Sequence, residues 1–316
     1  MTFSPRSFLL AAALTAVAAA AASAQPFFDY DKKSDVSVFR PSEGSWYTSS
    51  SEADSIAATQ WGLATDRLVP GDYDGDGITD LAVWRPETGV WYVLRSRDGQ
   101  MQTATWGTRL FIPNGWVTDE PVPGDYDGDG HDDFAVWRPG TGVWYILRST
   151  FGFNPDYALT IRWGKLGDIP VPGDYDGDRV TDAAVFRSTE NRWYALGSSD
   201  SVWRTTVLGQ SGFDKLVPAD YTGDGRTDFA VYRNGLWIIE DVARGARQSV
   251  NYGLSGDTPV PADYDGDGRA EPAVYRAGRW FIFESGTGLS ETRDFGTSSD
   301  VPLPALRVKP SIVPIP

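Results

Sequence analysis

Asp72-Tyr73-Asp74-Gly75-Asp76-Gly77-Ile78-Thr79-Asp80 is the stretch that decides the fold, because the rest of the chain is organised around copies of it. Carboxylates stand at the first, third, fifth and ninth positions of a nine-residue loop. Alternate placement in a tight turn lets them converge on one point. Gly77, at the sixth position, admits the left-handed backbone that the turn needs. The carbonyl of Ile78, at the seventh, can add a further oxygen. A hard cation that takes roughly six to eight oxygen ligands suits this donor set, which points to calcium. Without a cation, several carboxylates would be crowded together with nothing to offset their repulsion.

The pattern recurs. Asp125, Asp127, Asp129 and Asp133 repeat it in full, with the His131 carbonyl at the seventh position. Asp174, Asp176, Asp178 and Asp182 do so with Val180 at the seventh and Arg179 in place of the glycine. Asp220, Asp224 and Asp228 flank Thr222, which replaces one acid and predicts a weaker site; Arg226 supplies the carbonyl. Asp263, Asp265 and Asp267 are followed by Arg269 and by Glu271, whose longer arm can still reach. A degraded first copy, with Asp29, Asp31 and Asp35, lacks one ligand and the glycine and is expected to be empty. About five calcium ions are therefore expected. Successive loop starts lie 53, 49, 46 and 43 residues apart, a period that suits propeller blades.

Each loop is followed by an apolar strand ending in an aromatic residue and Arg, then by a Trp-centred strand. The unit closes on an aromatic-Gly pair or its equivalent, from Trp61-Gly62 to Phe295-Gly296. In the second copy four strands are predicted, at Pro70 to Tyr73, Asp80 to Arg85, Val90 to Ser96 and Met101 to Trp106. The second and third should be apolar on nearly every position, as strands covered on both faces are. The repeats resemble the FG-GAP or VCBS-type repeats of integrin α-chain propellers and of many exported bacterial proteins. Trp-Gly or Phe-Gly stands for the first half of that motif and Val-Pro-Gly-Asp for the second. D-x-D-x-D-G-x-x-D is its calcium loop. The expected fold is all-β: a six-bladed propeller with a calcium loop between the first and second strands of most blades. Residues 300–308, which match the start of a first strand, would complete blade one and make Asp300 the partner of Arg40.

Arg6, the apolar run Phe8 to Ala22 and the small residues Ala22-Ser23-Ala24 predict an export signal cleaved near Ala24. The domain reading is residues 1–24 as signal, 25–309 as propeller and 310–316 as a short Pro-rich tail. A secreted or periplasmic location follows, with no membrane span. The chain has no Cys, so disulfides cannot brace it. A net charge of −15, made more negative by loss of Arg6, argues against nucleic acid as a partner.

Two further residues recur. An Asp precedes each loop by six residues (Asp66, Asp119, Asp168, Asp214, Asp257), and an Arg follows each by five (Arg85, Arg138, Arg187, Arg233, Arg276). They should meet at the far end of a hairpin as structural pairs, rather than form a free ring of Arg for anions. The blade-centre Trp46, Trp91, Trp144, Trp193, Trp237 and Trp280 read as core between blades.

Catalytic residues are scarce. His131 is the one His and lies inside a loop, so nucleophile–His chemistry has little to build on. No asymmetric acidic cluster stands apart from the repeats, and the chain is not expected to be an enzyme. The expected function is a calcium-binding, monomeric ligand-binding or adhesion module for an extracellular protein or glycan, lectin-like in one form. A propeller glycoside hydrolase or polysaccharide lyase is the alternative. The ligand site is placed on the long connection Thr108 to Thr118, with Phe111, Asn114 and Trp116, opposite the calcium loops. The insertion Phe151 to Tyr157, on the loop face, is the weaker rival.

Overall fold

A computed structural model describes residues 28–50, 55–112, 115–284 and 286–303. The proposed signal, Asn114 and the tail lie outside them. The described residues form six four-stranded antiparallel sheets and one two-stranded hairpin, a six-bladed all-β propeller. No helix among the described residues is long and apolar enough to cross a membrane.

One blade shows how the others are built. In the second, Arg67–Leu68, Leu81–Arg85, Val90–Leu94 and Met101–Thr105 lie side by side in that order. The first strand thus starts nearer Asp66 than predicted and ends at Leu68, before Pro70. Beyond it only a single bridge, Gly71 opposite Asp80, spans the loop, and the same bridge recurs in four more blades. Leu81–Arg85 is covered on both faces as expected, whereas Val90–Leu94 alternates. Trp91 and Val93 face the core, while Tyr92 turns outward and lies under the Arg85 guanidinium, 4.6 Å from its carbon to the ring centre.

The first sheet combines both ends of the described chain. Val301–Pro302 pairs with Ser37–Arg40, placing Val38 opposite Pro302 and Phe39 opposite Val301. Next to it Arg40 donates two hydrogen bonds to Asp300, at 2.8 and 2.9 Å.

Core packing repeats with the sequence. All six blade-centre Trp rings are fully buried. Each indole N–H donates to the carbonyl of the residue before the closing Gly, as Trp91 does to Trp106 at 2.9 Å. That Gly lies against the next blade: a methyl group on Gly107, at φ 101°, would sit 3.0 Å from Val136 Cγ1. Close approach and a left-handed backbone together explain the aromatic-Gly pair.

The repeated Asp and Arg meet in every blade. Arg187 grips Asp168 through two bonds of 2.9 Å, and Asp168 also accepts the Lys165 N–H. In five blades the guanidinium lies over an aromatic ring of the third strand as well. With the carboxylate at its edge and the ring on its face, it has little left to offer an anion.

Candidate metal centres

Each loop is shaped by its own carboxylates before any ion is considered. Asp72 accepts the N–H groups of Gly75 and Gly77, at 2.7 and 2.9 Å, and so curls the chain around itself. Asp80 accepts the Tyr73 N–H at 2.9 Å with one oxygen and the Ser96 N–H at 2.6 Å with the other. Bridged to Gly71, it is fixed at the base of the loop.

Side-chain oxygens then gather in four places. Asp72 with Asp74 and Asp80, Asp125 with Asp127 and Asp133, and Asp174 with Asp176 and Asp182 form trios. Asp263, Asp265, Asp267 and Glu271 form a quartet. Within each group one oxygen per residue lies within 4.8 Å of the others. Two local departures from the full motif stand out. Among the described residues the Asp220 loop, where Thr222 takes the third position, brings no such group together. In the three trios the fifth carboxylate is turned aside: Asp76, Asp129 and Asp178 accept hydroxyl bonds from Ser96, Ser149 and Ser198. Those serines, sixteen residues after each loop end, were visible in the sequence as a recurring Ser after the Trp strand. The seventh residues, Ile78, His131, Val180, Arg226 and Arg269, all donate their N–H to the fifth carboxylate. Arg179 does adopt a left-handed backbone, at φ 74°.

The donor set fits a divalent cation. Both carboxylate oxygens of Asp127, one of Glu271 and the Thr222 hydroxyl are buried with no hydrogen-bond partner among the described residues. Burial pushes the carboxyls at the ninth position far above their usual range, with neighbouring acids adding to it. Asp133 and Glu271 rise to about 8, and Asp80, Asp182 and Asp228 to about 7. Desolvation and like-charge repulsion are the two effects that a bound cation reverses.

The loops are also tied to one another, which the sequence did not reveal. The N–H of the eighth residue donates to the carbonyl of the first residue in the preceding loop. Asp132 donates to Asp72, Thr181 to Asp125, Thr227 to Asp174, Ala270 to Asp220 and Ser34 to Asp263, all at 2.6–2.7 Å. Above each link the seventh side chain covers the fourth-position Gly of that preceding loop. His131 lies so close to Gly75 that a methyl group there would be 2.2 Å from Nε2. The degraded first loop takes part through Ser34, and Asp35 still accepts the Phe28 N–H at 2.8 Å.

Residues 72–136 and 125–185 match the FG-GAP-like repeat. The two matches to the FG-GAP-like repeat begin at the first positions of the second and third loops. No curated protein matches the chain in sequence. Among solved structures it is similar to an Agrocybe aegerita lectin described for specific recognition of non-reducing terminal N-acetylglucosamine. That likeness has 13% identity, a TM-score of 0.51 and coverage of 86% of this chain and 94% of the lectin. A streptogramin B lyase gives 8% identity, a TM-score of 0.50 and coverage of 88% and 85%. BBS1N in complex with ARL6DN gives 11%, 0.52, and coverage of 92% and 86%. At these identities the likeness establishes the fold, one that carbohydrate-binding and enzyme propellers share.

Of the ligand residues expected on the long connection, Phe111 and Trp116 are opposite one another in a hairpin of Arg109–Ile112 and Gly115–Thr118. Asn114 lies outside the described residues.

Proposed function

We propose that this chain is an exported, calcium-braced propeller that serves as a binding module for an extracellular glycan or protein. The observation behind it is Asp127. Both its oxygens are buried and unpartnered beside Asp125 and Asp133, so they await a cation rather than solvent. The ninth acid of every repeated loop is fully buried as well. An ion held there neutralises carboxylates and joins the first two strands of a blade, which is the chemistry of a brace. Four loops would hold it, through Asp72, Asp74 and Asp80 and their counterparts. With the ions structural, function falls to the surfaces that the rigid ring presents. An enzyme propeller is the alternative reading, since the same fold serves a streptogramin B lyase. A glycan array run beside a polysaccharide-degradation screen, both on calcium-loaded protein, separates the two. Retention without turnover supports the binding module, and product formation overturns it. Metal analysis after dialysis tests the brace: the reading requires close to four bound calcium ions per chain.

A further inference from the structure

The third blade departs from the others after its Trp strand, and the departure builds a cleft. Where other blades turn tightly, residues Ser149–Tyr157 form two short 3-10 turns. This segment leans towards the outermost strand of blade two and leaves between them a half-open cleft of about 330 Å³. Small-molecule sites begin at about this size.

Its walls are specific. Phe153 and Trp106 line it, with Phe134 beneath, and Gln102, on the same strand face as Trp106, supplies an amide, while Thr103, opposite Tyr92, belongs to the other face. The Gln102 side chain makes no hydrogen bond among the described residues. No charged side chain lines the cleft, although the chain carries a net charge of −15.

The aromatic wall is held in place against its backbone preference. Phe153 sits at φ 58°, directly after Gly152 at φ 62°. A bulky residue in that region is strained by roughly 1–2 kcal/mol. Stacking on Phe134, with ring centres 4.5 Å apart, offsets it. Both ends of the segment are fastened. Ser149 N–H donates to Asp133 at 2.7 Å, and the Ser149 and Thr150 hydroxyls bond Asp129. Arg148 donates to the Tyr157 carbonyl and lies 4.3 Å over the Phe151 ring, which itself stacks on Tyr157. The wall is therefore formed before a ligand arrives.

We propose that this cleft between blades two and three binds a neutral saccharide. Aromatic faces meet the apolar faces of a sugar ring, the Gln102 amide meets its hydroxyl groups, and the uncharged lining matches a ligand without charge. The proposal deepens the binding-module reading and rests on it.

The test uses the full mature chain in calcium. Saturation-transfer NMR and calorimetry are run with cellobiose, lactose, chitobiose and mannobiose as probes, polygalacturonate as the charged polymer and an extended Val/Thr peptide as a rival for the outer edge of Met101–Thr105, the last strand of its sheet. Two variants are compared with wild type. Phe153→Gly removes the ring at a backbone that Gly prefers, and Gln102→Ala leaves the core untouched. At least one disaccharide should bind, and each variant should weaken it about tenfold or more while keeping the melting transition. If no disaccharide binds, if both variants bind as wild type does, or if only the charged polymer or the peptide binds, the proposal is wrong. Glycan binding that survives both variants refutes the cleft alone and leaves the binding-module reading standing.

Discussion

Removing the cation should make the fold sensitive to alkali in a calculable way. The Asp133 carboxyl is raised from an ordinary 3.8 to about 8, first by burial and then by Asp127. The folded state therefore holds its proton over a range where the unfolded chain has released it. Such a group contributes stability that is fully present below pH about 4 and is lost as pH rises through the folded value. For Asp133 the loss by pH 8 is about 5 kcal/mol, from roughly four pKa units at 1.36 kcal/mol each. Glu271, also about 8, and Asp80, Asp182 and Asp228, about 7, act in the same direction. Even two or three such losses, imperfectly additive, would exhaust the ~5–15 kcal/mol that holds a typical domain together. The assay is thermal melting followed by circular dichroism from pH 5 to 8, in EGTA and in millimolar calcium. In EGTA the midpoint should fall steadily with pH, and by pH 8 the chain should be largely unfolded at ambient temperature. In calcium the slope should flatten or reverse, because the ion takes the place of the protons. A midpoint in EGTA that holds level or rises across this window would refute the reasoning.

Three substitutions probe other parts of the design. Thr222→Asp restores the missing acid of the fifth repeated loop and should raise bound calcium by one per chain, read by elemental analysis after dialysis. Arg179→Gly relieves a left-handed arginine; it should stabilise by roughly 1 kcal/mol, or about 2 °C in melting midpoint, with calcium stoichiometry unchanged. Asp300→Ala leaves the Arg40 guanidinium and the Thr297 N–H without their shared partner. Because Arg40 is partly solvated, the expected loss is about 2 kcal/mol, below that of a fully buried pair. It should match Asp168→Ala within error in the same denaturation assay. If Asp300→Ala is silent while Asp168→Ala is costly, the strand at Val301–Pro302 is dispensable.

Much of this architecture could be read from residues alone because a repeat displays its constants. The Trp, the aromatic-Gly pair, and the Asp and Arg at fixed offsets stand out against loops that drift in length. What was hidden has local causes. The first strand ends at Leu68 and gives way to the lone Gly71–Asp80 bridge, which a pattern of apolar residues does not register. Asp76 and Asp80 look equivalent in the motif, yet Ser96, from a different strand, draws the first away with its hydroxyl and holds the second through its N–H. The cleft depends on Phe153 adopting a backbone that its side chain disfavours, an arrangement dictated by Phe134 rather than by its neighbours in sequence. Links such as Asp132 to Asp72 join main-chain atoms, so no side-chain pattern records them.

Those main-chain links bear on how the molecule comes apart. In an open array of repeats, stability sums over neighbours and an end repeat can peel away while the rest stays folded. Here the described links run from the second loop through the sixth, and Ser34 carries them from Asp263 to the first. Val301–Pro302, beside Phe39, joins the same two blades through the sheet. A blade at either end of the sequence is thus no freer to leave than one in the middle. Denaturation should be a single sharp transition, and amide exchange at the N–H of Ser34 should be as slow as at that of Thr181, despite their different distances from a terminus.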